Sequence, residues 1–76
     1  EEIAVYPVPA HDILNVDNAK RNIQNYTIVD LTGEIVLSGK PAGDVIEINT
    51  SGLISGIYLI RLTTLEGNVA RKIIIR

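Results

Sequence analysis

The sequence predicts an all-β fold: an immunoglobulin-like antiparallel β-sandwich of about seven strands with Greek-key connections. Three observations predict it. First, Ile, Val and Thr number 13, 7 and 5, which sums to 25 of the 76 residues. Their branched side chains are stiff at χ1 and suit a pleated surface better than a helix. Second, short apolar runs alternate with turn signals along the whole chain, at the spacing of a sandwich. Third, Leu53-Ile54-Ser55-Gly56-Ile57-Tyr58 has the form L-x-x-G-x-Y and stands just before a long alternating strand. Sandwiches of this kind carry a tyrosine at such a corner.

The elements follow in order. The first strand is expected over Ile3 to Tyr6, stopped by Pro7-Val8-Pro9. Proline lacks the N–H that a ladder needs, so pairing ends there. The second runs from Asp12 to Val16, with Leu14 and Val16 on one face and Ile13 and Asn15 on the other. The third spans Ile23 to Leu31, with Tyr26, Ile28 and Asp30 on one face. Asp30-Leu31-Thr32-Gly33-Glu34 reads as a tight hairpin turn in which Gly33 supplies a positive φ. The fourth strand is Glu34 to Leu37, ended by Ser38-Gly39-Lys40-Pro41-Ala42-Gly43. Asp44 to Asn49 is the fifth, with Ile46 and Ile48 alternating against Val45 and Glu47. Ile57 to Thr64 is the sixth and Asn68 to Arg76 the seventh, joined by a second glycine hairpin, Leu65-Glu66-Gly67. The polar stretch Val16 to Gln24 is the one candidate for a turn of helix.

In the sixth strand Tyr58, Ile60 and Leu62 are expected to face the core while Leu59 and Arg61 face out. Leu53 packs under the corner, Gly56 lets the chain turn, and the Tyr58 hydroxyl bonds back to the backbone upstream.

Length and composition bound the function. The 76 residues form one domain, 1–76. A chain near this size buries about 60% of its unfolded surface, so its stability margin is thin. There is no Cys, Trp, Phe or Met, so the core is aliphatic with three tyrosines, Tyr6, Tyr26 and Tyr58. No disulfide and no thiolate metal site can form. Net charge is −2 with both signs scattered along the sequence, which argues against tracking nucleic-acid phosphates. No apolar stretch approaches the length of a membrane-spanning helix. Glu1-Glu2-Ile3 is no signal peptide, and a start inside a strand suggests a piece cut from a longer precursor.

Catalytic chemistry finds no footing. His11 is the sole histidine, so a metal site or a dyad would have too few partners. Asp12, Asp17, Asp30 and Asp44 are scattered, and Asp17-Asn18 is too sparse for a calcium loop. The glycines do not form a phosphate-cradling loop before a helix. No enzymatic activity, small-molecule substrate, cofactor or metal is expected. The last strand carries Arg71, Lys72 and Arg76 around Val69, Ile73 and Ile75. Positive charge there either protects an edge strand from aggregation or is read by a receptor.

The order of motifs bears on that choice. Val5-Tyr6-Pro7-Val8-Pro9-Ala10 followed by Asp12-Ile13-Leu14-Asn15-Val16 resembles the "YPNPA…D-x-L-x-I" opening of the type IX secretion system C-terminal sorting domain. Ile28 to Val36, with Asp30 and Gly33, is similar to its "I-Y-D-L-x-G-K-x-V" hairpin. Leu53 to Arg61, with Gly56 and Tyr58, is similar to its "L-x-x-G-x-Y-x-V-x-I" strand. Gly67 to Arg76 looks like its closing "G…K-x-I-x-K" run. The resemblance covers essentially the whole chain, with Val8 where Asn is usual and Arg76 where Lys is common.

That resemblance implies a secretion signal that directs an attached cargo across the outer membrane of a Gram-negative bacterium of the Bacteroidetes type. It implies transit through the periplasm and a secreted or cell-surface destination. The implied partners are an outer-membrane translocon, a shuttle protein and a sortase-like protease that cleaves before the domain. Recognition is expected at Arg71, Lys72, Ile73, Ile75 and Arg76, with Tyr6, Pro7, Pro9, Asp30, Gly33, Leu53, Gly56 and Tyr58 as structural motifs. The isolated fragment is expected as a monomer or a strand-swapped dimer. Two other readings compete: an adhesion or carbohydrate-binding module, and a structural spacer. Against the first, few aromatics are left to form a sugar platform. The second would tolerate further sequence after Arg76, where a sorting domain should end its precursor.

Overall fold

The computed structural model describes residues 3–7, 9–18, 22–41 and 43–76. Among them the strands are β1 (Val5–Tyr6), β2 (Ile13–Asp17), β3 (Ile23–Val29), β4 (Ile35–Gly39), β5 (Val45–Asn49), β6 (Gly56–Thr64) and β7 (Gly67–Ile75). They form two antiparallel sheets, one in the order β1-β2-β5 and the other β4-β3-β6-β7. The chain changes sheet between β2 and β3, between β4 and β5, and between β5 and β6. The immunoglobulin-like sandwich expected from the sequence is the fold observed.

Strict alternation places the core. Leu14 and Val16 stand opposite Ile48 and Ile46 in the smaller sheet. Ile28 stands opposite Ile60, and Tyr58 opposite Ile73, in the larger. These inward rows, with Leu62 and Ile75, interlock as one buried cluster between the sheets. Tyr26, Leu53 and Val69 pack against its margin. Exchanging inward for outward residues in any of these strands would require a one-residue slip, and burial of one face forbids it.

Several boundaries differ from expectation, each for a local reason. β3 stops at Val29, not Leu31, because Asp30 organises the following loop. Its Oδ1 accepts from the Thr32 N–H (2.9 Å), the Thr32 hydroxyl (2.6 Å) and the Glu34 N–H (3.0 Å). Asp30 therefore shares no strand face with Tyr26 and Ile28. Gly33 has the expected left-handed conformation, φ 91°. β4 continues to Gly39, where the Tyr26 ring lies across the cross-strand glycine. A Cβ there would meet the Tyr26 hydroxyl at 2.6 Å, so Gly39 is required by close approach and not by a turn. Gly56 is a plain strand residue opposite Ile75, and a Cβ on it would find its nearest neighbour at 3.9 Å. It is not the turning residue expected. Of the helix candidate, Val16 and Asp17 end β2, Asn22 has φ 55° and Ile23 opens β3; residues 19–21 lie outside the described residues.

The proline segment does more than end β1. The Tyr6–Pro7 peptide is cis. Before it, Val5 and Tyr6 pair with Val16 and Asn15 in the smaller sheet. After it, fully buried Ala10 forms a parallel bridge to Ile75 in the larger sheet. The chain thus crosses from one sheet to the other at its first turn. Thr50, the buried polar residue of this end, fastens the same turn: its hydroxyl donates to the His11 carbonyl (3.1 Å) and its N–H to the Asp12 carbonyl (2.7 Å).

The Asp30 loop makes stability depend on pH. The Thr32 hydroxyl and then the Glu34 N–H hold the Asp30 carboxyl below its ordinary value. A carboxylate with a lowered folded-state pKa stabilises the fold above its unfolded pKa of about 3.9. That contribution disappears as pH falls through the folded value. Asp30→Asn keeps an acceptor oxygen but loses the charge. Its urea midpoint should lie below that of the unmodified domain at pH 6, with the gap closing as the pH approaches 2. A gap independent of pH would refute the charge assignment.

Candidate recognition surface

β7 is an edge strand of the four-stranded sheet, paired along its length with β6. Pairing of Thr64 with Gly67 across Leu65-Glu66 sets its register, and Gly67 takes φ 129° in the turn. The Thr64 hydroxyl donates to the Gly67 carbonyl at 2.8 Å and accepts from the Glu66 N–H at 3.1 Å. This closes the hairpin and aims nine residues of β7 along the sheet margin.

The bridge to Ala10 shows which backbone groups face away from β6. The Ala10 N–H donates to the Ile74 carbonyl, and the Arg76 N–H donates to the Ala10 carbonyl, both at 2.8 Å. In an antiparallel strand the N–H and C=O of one residue point to the same side, alternating along the chain. Asn68, Ala70 and Lys72 therefore share the outward direction of Ile74. The tip of the edge is closed by Ala10, and its middle is open among the described residues. Arg71 covers part of that middle, its Nη1 donating to the Ala70 carbonyl at 3.3 Å. A guanidinium laid along the margin is one of the devices that discourage strand-on-strand aggregation.

The five residues expected at the recognition site therefore fall into different places. Ile73 and Ile75 are 0% and 2% exposed and belong to the core. In the folded domain their side chains are out of reach of a partner. Arg71 stands on their face of the sheet and is half-buried. Lys72 is exposed on the opposite face, and Arg76 is exposed just past the strand. What a partner can touch is the outward backbone of Asn68 to Lys72 with the charges of Arg71, Lys72 and Arg76.

The structural motifs divide similarly. Tyr58 is 8% exposed and its hydroxyl donates to the Ile54 carbonyl at 2.5 Å, the corner bond expected from the sequence. Leu53 packs against the core beneath it. Tyr6, Pro7 and Pro9 are exposed around the sheet crossing. His11 is exposed. Among the described residues no three His, Asp or Glu side chains cluster in a way that could hold a metal ion. The roles of Ala10, Thr50 and Gly39 were not read from the sequence. An alanine between turn residues, or a glycine before Lys-Pro, carries no local signal of a contact made across the fold.

Comparison with known proteins bears on this surface. A family model described as "Secretion system C-terminal sorting domain" matches residues 4–76. Beta-agarase D of Zobellia galactanivorans is 36% identical over 78 residues, covering 99% of this chain and 15% of that protein. The chain thus spans a minor part of its curated relative. A solved structure of PorZ, a bacterial surface component of the type-IX secretion system of Porphyromonas gingivalis, superposes with a TM-score of 0.78 at 16% identity. The match takes in 97% of this chain and 11% of the PorZ chain, and it bears on the fold alone.

Proposed function

The chain belongs to the secretion system C-terminal sorting domain family, and we propose on that basis that it is the type IX secretion signal of a longer secreted or cell-surface protein. The match of the family model over residues 4–76 is the observation that carries this reading. The whole of 1–76 acts as one domain. It passes through the periplasm with its cargo and delivers that cargo to a translocon in the outer membrane, with a shuttle protein receiving it. A sortase-like protease cleaves before the domain. The domain itself performs no catalysis and needs no cofactor.

The form of β7 supports this reading. Outward N–H and C=O groups along Asn68 to Lys72 offer main-chain pairing to a partner strand, and Arg71, Lys72 and Arg76 supply the charge that steers it. Because the domain contains no Cys, it reaches this form without oxidation.

The test is a reporter with a periplasmic leader, fused to this chain and expressed in a Bacteroidetes host with and without the secretion system. Export of the fusion by the competent host alone is the expected result. Retention in the periplasm of both hosts, as for the reporter without the domain, would refute the reading.

A further inference from the structure

The charges that look scattered along the sequence are sorted by the fold. β3, β4, β6 and β7 contain Arg61, Arg71 and Lys72 and no carboxylate. β1, β2 and β5 contain Asp17 and Glu47 and no base. The strands of the larger sheet therefore carry only basic side chains and those of the smaller only acidic ones, while the carboxylates Asp30, Glu34 and Glu66 stand in the hairpins at the ends of the larger sheet.

The outer face of the larger sheet is also apolar. Cross-strand register places Ile35, Val29, Leu59 and Lys72 in one row across it, and Ile57 with Ile74 in the next inhabited row. Arg61 lies beside them, opposite Thr27 and Ala70. Val29 is 1% exposed yet lies outside the interior cluster, so its outer-face neighbours bury it. Ile35 and Ile57 remain 60% and 42% exposed. An ordered apolar centre with Arg61 and Lys72 on its β6–β7 side and Glu34 beyond Ile35, continuous with the open margin at Lys72, has the anatomy of a protein interface.

We infer that this outer face docks a partner protein surface of complementary character, apolar at its centre and with carboxylates opposite Arg61 and Lys72. Charge complementarity selects that occupant: the face offers Arg61 and Lys72 and no acid among its paired positions. A lipid surface fits less well, because two cations on a domain of net charge −2 are few to hold an anionic membrane. The inference rests on the sorting reading above and assigns to it a face in addition to the β7 margin.

The triple variant Ile35→Thr, Ile57→Thr, Arg61→Glu tests it, since it alters β4 and β6 and leaves β7 intact. All three positions are exposed, and threonine keeps the β-branched shape that a strand favours. The same reporter fusion is used, with thermal melting of each domain as the check on folding. At an unchanged melting temperature the triple variant should export at least tenfold less. Val45→Thr with Glu47→Lys, on the smaller sheet, should export like the unmodified fusion. Full export of the triple variant would overturn the docking face and leave the sorting reading standing. Loss of export in both variants alike would also overturn it. Failure of the unmodified fusion to leave the periplasm would remove the sorting reading itself. Co-sedimentation of the domain with phosphatidylglycerol vesicles, abolished by the triple variant, would give the face to a membrane and overturn a protein partner.

Discussion

Deleting Lys72 to Arg76 should unfold the domain, leaving no cooperative transition in far-UV circular dichroism or urea at 25 °C. The segment removes Ile73 and Ile75, both buried, from between the sheets. Truncating a buried Ile costs about 2–5 kcal/mol. A domain of 76 residues has a total stability of roughly 4–11 kcal/mol, at about 0.05–0.15 kcal/mol per residue. Two such losses consume most or all of that. The deletion also strips Gly56, Ile57, Tyr58 and Leu59 of their ladder partners and frees Ala10 from its bridge. A cooperative melt within a few degrees of the intact domain would show that the last strand is dispensable to the fold. The consequence for function is practical. An export defect after this deletion would report unfolding as readily as a lost signal. Surface substitutions such as Lys72→Glu, which leave Ile73 and Ile75 in place, separate the two.

Tyr58→Phe should lower stability by about 1–2 kcal/mol, the cost of a lost hydrogen bond at a largely buried site. The ring keeps its place in the core, so the packing contribution is unchanged. What goes is the hydroxyl donor to the Ile54 carbonyl at 2.5 Å, four residues upstream. For a domain this small each kcal/mol moves the melting temperature by about 4–8 °C. The shift should appear in the urea midpoint with an unaltered slope, because the surface exposed on unfolding is nearly the same. Equal midpoints for the two proteins would mean that water at the exposed end of the corner replaces the hydroxyl fully. A lowered midpoint would mark Tyr58 as a residue of the fold, placed at the crossing from β5 to β6.

Much of the architecture was legible because it is written in short-range patterns. Alternation put Leu14 with Val16 and Ile46 with Ile48 on common faces and named Tyr58, Ile60 and Leu62 as inward residues, and all seven are buried. Gly33 declared its hairpin through the positive φ that a loop after Asp30 requires. Strand ends were harder. Whether β3 continues past Val29 depends on hydrogen bonds that the Asp30 carboxylate makes only when Thr32 and Glu34 curl back to it. Gly56 and Gly39 were both misjudged because a glycine's reason lies in its neighbours. Gly56 has room for a side chain, whereas Gly39 has a tyrosine ring in that space.

The recognition surface shows the same division more sharply. Local composition alone marks the last strand as basic, alternating and part of a recognisable family pattern. It could not say that Ile73 and Ile75 turn inward while Lys72 turns outward at a sheet margin. Nor could it say that Ala10, more than sixty positions earlier, seals one end of that margin. Strand charges that are mixed along the chain separate into acidic strands and basic strands only when β1, β2 and β5 are gathered on one side. The physical reason is that strand composition is local, whereas sheet membership, edge position and face are fixed by pairings between distant segments. Those pairings decide what a partner can reach.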